Sequence, residues 1–188
     1  CIAEDSEYYY RKLPEIVGTK REFIVMRAQR NAYDAALAVS GADIVEIGDA
    51  DETLETELEG SINEKTAGVV YFASTLYQRG SLPLENVIAI AKKYKVPVIV
   101  DAAAQLPPKE NLKRFTEAGA DMVIFSGGKT LCGPQDSGVI FGTKQWIERC
   151  IRFGAPEHGI CRVSKTSREA MAGLYTALEN YVLQDEEK

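Results

Sequence analysis

Apolar positions along the chain gather into short runs, separated by stretches in which they recur with helical spacing. Residues 22–26, 43–47, 67–73, 98–101, 120–125 and 137–141 are such runs, rich in Val, Ile and Phe. Runs of that length predict strands, and near-continuous apolarity, clearest in 67–73, predicts strands buried on both faces. Between them the pattern predicts helices over 31–40, with Asn31 as N-cap and Gly41 as stop, and over 53–59, a short acidic segment. Further helices are expected over 84–94, with Val87, Ile88, Ala91 and Tyr94 on one face, over 110–118 closed by Gly119, over 144–153 and over 166–183. Residues 4–14, with Tyr8-Tyr9-Tyr10, read as a helical or loop connection, and Pro107-Pro108 breaks the chain. Strand and helix alternate through almost the whole length. The right-handed crossover rule then gives a mostly parallel sheet covered on both faces, a three-layer α/β/α sandwich. One domain is expected over 1–153, and 154–188, a loop and a long helix, lead toward another. Cys1-Ile-Ala reads as the end of a helix, so the sequence is expected to belong to something longer.

Composition narrows the function classes. With 188 residues and 45% hydrophobic content the chain can bury a real core. A net charge of −6 argues against a dominant electrostatic attraction to nucleic acid or anionic membrane. No apolar segment approaches the ~20 residues that span a bilayer, and no charged-then-apolar leader opens the sequence, which points to a cytoplasmic protein. Cysteines 1, 132, 150 and 161 lack CxxC spacing and His158 is the single histidine, so no metal site is expected. The cysteines read as reduced thiols, with Cys132 a small buried packing residue.

The chemistry lies at two strand ends. Asp101 closes the 98–101 run, and Lys129 follows the 120–125 run after Ser126-Gly127-Gly128. In an open α/β sheet, the C-terminal strand edge is where ligands bind. A carboxylate and an amine brought there, 28 residues apart and so one βα unit, suit a pyridoxal phosphate site. The lysine would form the Schiff base and the carboxylate would pair with the pyridinium nitrogen. Taken singly, Asp101 reads as a helix N-cap and Lys129 as a solvated turn. Ser126 shifts the balance, because in Ser-x-x-Lys the hydroxyl can donate to a phosphate oxygen while the glycines let the backbone approach the ring. Gly128-Lys129-Thr130 also matches the tail of a P-loop, but that motif needs a glycine where Val123 stands inside a strand. No G-x-G-x-x-G follows a strand.

Residues 101–108, Asp-Ala-Ala-Ala-Gln-Leu-Pro-Pro, and 119–138, which contain Ser126-Gly-Gly-Lys129 and Gly133-Pro-Gln135, resemble the selenocysteine synthase-like family of fold-type-I pyridoxal phosphate enzymes. That family includes L-seryl-tRNA(Sec) selenium transferase and the D-glucosaminate-6-phosphate ammonia lyases. Residues 29–34 and 41–48 resemble its lyase-type branch. The resemblance implies the large domain of a fold-type-I enzyme, with pyridoxal 5′-phosphate on Lys129, Asp101 on the ring nitrogen and Ala103 against one ring face. It also implies cofactor contacts from Ser126, Gly128 and Gln105, and substrate or packing roles for Gln135, Arg162 and Lys165. Members carry, before the position of Cys1, a phosphate-holding loop and, after residue 188, a small domain, and they build the site between subunits of a homo-oligomer. The isolated 188-residue chain is therefore expected to be inactive. The reading that results is a pyridoxal phosphate-dependent lyase acting on a small amino acid or amino-sugar acid with loss of a β-substituent and ammonia. Selenium transfer to seryl-tRNA is the alternative enzyme, disfavoured by the acidic balance. A non-catalytic remnant or partner subunit would have no reason to keep Asp101 and Lys129.

Overall fold

The structure, a computed structural model, describes residues 1–15, 18 and 20–183. Six strands, β1 (Glu22–Met26), β2 (Asp43–Ile47), β3 (Thr66–Phe72), β4 (Val98–Asp101), β5 (Met122–Ser126) and β6 (Gly138–Gly142), form one sheet in the order β2-β1-β3-β4-β5-β6. The first five are parallel, and β6 runs antiparallel to β5. Residues 127–137 carry no helix and are too few for a crossover, so the chain returns as a hairpin.

Apolar continuity along the strands is explained by two cores. Ile24, Met26, Val69, Val98, Val100, Val123 and Phe125 face one side, where Leu58 of α3 (Glu55–Ser61), Val87 and Ala91 of α4 (Leu84–Lys93) and Phe115 of α5 (Asn111–Glu117) pack on them. Phe23, Val25, Val70 and Phe72 face the other side, against Ile2 and Leu37 of α2 (Ala35–Val39). Helices α1 (Glu7–Lys12) and α6 (Lys144–Phe153) meet through the Tyr10 and Phe153 rings, and Leu174, Leu178 and Tyr181 of α7 (Arg168–Leu183) pack on the first core. No described helix is long and apolar enough to cross a membrane.

Two helix starts differ from the expected ones, each for a side-chain reason. Asn31 does cap, its Oδ1 accepting from Tyr33 N–H at 2.8 Å, but the turn it opens, Ala32–Asp34, is 3₁₀ and precedes α2. Asp34 is held by Arg30 and accepts from the Asn31 N–H, which tightens that turn. The acidic helix starts at Glu55 and not at Thr53. The Thr53 hydroxyl is spent on the Gly80 carbonyl at 2.6 Å, and Glu57 caps the helix instead, accepting from Leu54 N–H at 2.7 Å. Gly41 ends α2 as expected: its φ of +83° is open to glycine at no steric cost.

Candidate active site

All five parallel strands end on one edge, and a cavity of about 310 Å³ opens there. Asp101, Ala103, Gln105, Ser126 and Lys129 line it. The register explains the meeting. Asp101 lies opposite Phe72 on β3 and Ile124 on β5, and Ser126 ends β5 three residues before the lysine. The Asp101 carboxylate accepts from the Ala103 N–H at 2.9 Å, which turns the chain at the strand end and fixes the acid in the cavity wall. Ala103 and Ala104 leave room beside it.

Other wall residues come from farther away and are not among the site residues expected from sequence. Asn31 and Tyr33 reach the cavity from the loop after β1, and Ser74 and Tyr77 from the loop after β3. Tyr33 is 72% exposed, yet its ring centroid lies 5.7 Å from Lys129 Nζ, within cation–π range. Gln29, only 1% exposed, holds this wall in place. Its Oε1 accepts from Phe72 N–H at 2.9 Å and its carbonyl from Asn31 Nδ2 at 2.9 Å, which joins the end of β1 to the end of β3. Burial pushes the neighbouring Tyr71 phenol up, so it stays a neutral hydrogen-bonding group. A buried amide of this kind has no periodic signature in a sequence.

The lysine turn is built by close packing. A Cβ on Gly127 would meet the Ser137 hydroxyl and, at 2.8 Å, Leu174 Cδ1; one on Gly128 would lie 2.7 Å from the Gln135 Cα. The positions that a Cβ would take at these glycines are thus filled by the returning chain and α7. Gly128 and Gln135 do not line the cavity; Gln135 Nε2 instead donates to the Gly128 carbonyl at 2.9 Å. Arg162 and Lys165 are also outside it. Both are exposed, at and just after the 3₁₀ turn Ile160–Ser164, with Arg162 Nη1 on the Pro156 carbonyl at 3.1 Å.

Cys132 is exposed, not buried, and has φ +56°, a left-handed conformation in which an L side chain is strained. Its N–H donates to the Lys129 carbonyl at 2.8 Å, and that bond fixes the conformation. Cys132→Gly is therefore expected to raise stability by up to about 1 kcal/mol, read as an upward shift of the denaturant midpoint at constant m. All four cysteines are free, and burial pushes the Cys150 thiol up, away from thiolate reactivity. Among the described residues no acidic, Cys or His cluster could hold a metal ion.

In chemical terms the cavity offers an amine able to condense with an aldehyde, a carboxylate for a protonated ring nitrogen and a hydroxyl for an anion. Comparison with known proteins shows the family. D-glucosaminate-6-phosphate ammonia lyase of Salmonella typhimurium is 38% identical over 174 residues, covering 90% of this chain and 45% of that protein. The 5′-C-glycyluridine monooxygenase-decarboxylase of a Streptomyces species is 31% identical over 195 residues, covering 100% and 47%. A solved structure of D-glucosaminate-6-phosphate ammonia-lyase superposes with a TM-score of 0.90 at 34% identity, over 100% of this chain and 50% of that one. The chain thus spans about half the length of the curated relatives it matches. Residues 34–188 match the family described as SelA, L-seryl-tRNA selenium transferase, and the chain belongs to that family of fold-type-I pyridoxal phosphate enzymes.

Proposed function

We propose that the protein containing this chain is a pyridoxal phosphate-dependent lyase that removes a β-substituent and ammonia from a small amino acid or amino-sugar acid, in some cases a phosphorylated one. The observation that carries the reading is the opening of Lys129, Asp101 and Ser126 onto one cavity. This donor set fits the cofactor: amine to aldehyde carbon, carboxylate to ring nitrogen, hydroxyl to phosphate, with Ala103 too small to obstruct a flat ring. When bound, pyridoxal phosphate supplies an electron sink for the pair left behind as a proton leaves the substrate Cα. The protein's part is orientation and proton handling. Asp101, fixed by the Ala103 N–H, keeps the proton on the ring nitrogen. Lys129 Nζ, opposite the Tyr33 ring, holds the cofactor and moves the proton at Cα. Ser126 Oγ would donate to a phosphate oxygen.

Identity to the ammonia lyase of Salmonella typhimurium favours this substrate class. The family match favours a second reading, selenium transfer to a tRNA-borne seryl group, which the net charge of −6 opposes. Borohydride reduction of the full-length protein with pyridoxal phosphate, followed by peptide mass mapping, is expected to leave a pyridoxyl label on Lys129. A label confined to any other lysine refutes the assignment. A salt-dependent mobility shift with seryl-tRNA would reverse the ranking of the two reactions.

A further inference from the structure

Thr130 is left over from the Gly128-Lys129-Thr130 motif, which resembles a P-loop tail but has no P-loop around it. Its hydroxyl donates to the Leu106 carbonyl at 2.6 Å, across 24 residues of sequence. Leu106 lies midway along the loop between β4 and α5, five residues after Asp101. The bond therefore joins the loop that leaves the acid's strand to the turn carrying the amine.

The backbone bonds at the two strand ends show why such a tie matters. Ladder bonding between β4 and β5 reaches as far as Ala102 N–H on the Ile124 carbonyl at 2.9 Å. Beyond that point the chains part, one through Ala103 to Leu106 and the other through Gly127 to Cys132. Each is shaped locally. Gln105 N–H donates to the Ala102 carbonyl at 3.0 Å, and Asn111 Nδ2 to the Gln105 carbonyl at 2.6 Å, which braces the acid's loop from α5. Gly127 N–H donates to the Ser137 carbonyl at 2.9 Å, and Gly133 N–H to the Gly127 carbonyl at 2.8 Å, which ties the amine's turn to its own return strand. These bonds set the form of each loop but not their separation. The Thr130 hydroxyl acts on the separation, one residue after Lys129.

We infer that Thr130 is a positioning residue that sets the distance between the Lys129 amine and the Asp101 carboxylate. The inference rests on the pyridoxal phosphate reading of that site. The protein needs both groups on one planar cofactor, with the ring nitrogen and the aldehyde carbon at a fixed separation, and an error on the order of 1 Å in such placement costs reactivity steeply.

The test uses the full-length protein, pyridoxal 5′-phosphate and borohydride, and reads the rate at which Lys129 is labelled together with the thermal midpoint. Thr130→Val removes the donor at constant shape and is expected to slow labelling about tenfold, with the midpoint moved by no more than a few degrees. Thr130→Ser keeps the donor and is expected to label within about twofold of the parent protein. Wild-type labelling in the Val variant overturns the inference. So does equal loss of labelling and of midpoint in both variants, which would mark a merely structural bond. If the Val variant fails to fold, Thr130→Ala and Thr130→Ser labelling alike would overturn it as well, and Ala slower than Ser would sustain it. Absence of label on Lys129 in the parent protein would remove the cofactor reading itself, a separate outcome.

Discussion

Substitution of Lys129 by alanine is expected to abolish covalent capture of pyridoxal phosphate and to lower turnover of the full-length enzyme by roughly three orders of magnitude or more. Among the described residues that line the cavity, Lys129 is the one amine, so no neighbour can take over its bond to the aldehyde carbon. The loss should fall on chemistry and not on folding. Lys129 is exposed, and its Nζ lies 5.7 Å from the Tyr33 ring, a contact worth ~0.5–1 kcal/mol at an exposed site. Circular dichroism of the variant should accordingly match the parent protein. Borohydride labelling that persists at the parent level in Lys129→Ala would show that the reactive amine lies elsewhere in the chain.

Much of the fold could be read from the sequence because buried parallel strands announce themselves. Val98–Asp101 and Met122–Ser126 are apolar on both faces up to the residue that meets the cavity, so the strand ends and the ionisable groups on them appear together. Strand order is a different kind of information. β1 lies beside β3, and that adjacency brings Asn31 and Tyr33 to a lysine nearly a hundred residues later; no local pattern encodes it. Gln29 illustrates the same limit from the side of polarity. In the sequence it is one polar residue in a polar corner, while in the fold it is buried between two strand ends and satisfies Phe72 N–H. The glycines before Lys129 were seen, but the reason for them was not, because Ser137, Gln135 and Leu174 reach them from the return strand and the last helix.

The short 3₁₀ turn after Asn31 and the late start of the acidic helix have a common origin. Helical periodicity fixes where a helix can run, but its first turn is decided by competing side-chain bonds. Thr53 had the composition of a helix start and was drawn to Gly80 instead. Cys132 likewise looked like a small packing residue, and the hydrogen bond from its N–H to Lys129 gave it an exposed, left-handed place. Such outcomes depend on contacts 27 residues away in the first case and on turn closure in the second.

Asp101 allows the electrostatic and structural parts of the site to be separated by paired variants. Asp101→Asn keeps an oxygen able to accept from the Ala103 N–H, now 2.9 Å from Oδ1, and removes the negative charge. Asp101→Ala removes both. A charge-assisted bond to a ring nitrogen contributes roughly 1.5–3 kcal/mol, so each variant should weaken cofactor affinity by about 10- to 150-fold. Turnover at saturating cofactor should fall further, since a ring nitrogen without its anionic partner is a poorer electron sink. The alanine variant should also lose about 0.5–1.5 kcal/mol of stability from the Ala103 bond, whereas the asparagine variant should unfold close to the parent midpoint. Titration of each full-length variant with pyridoxal phosphate, together with denaturant unfolding, separates the two effects. Parent-level turnover in saturated Asp101→Asn would mean that another group holds the ring nitrogen and that the carboxylate at the end of β4 serves only to turn the chain.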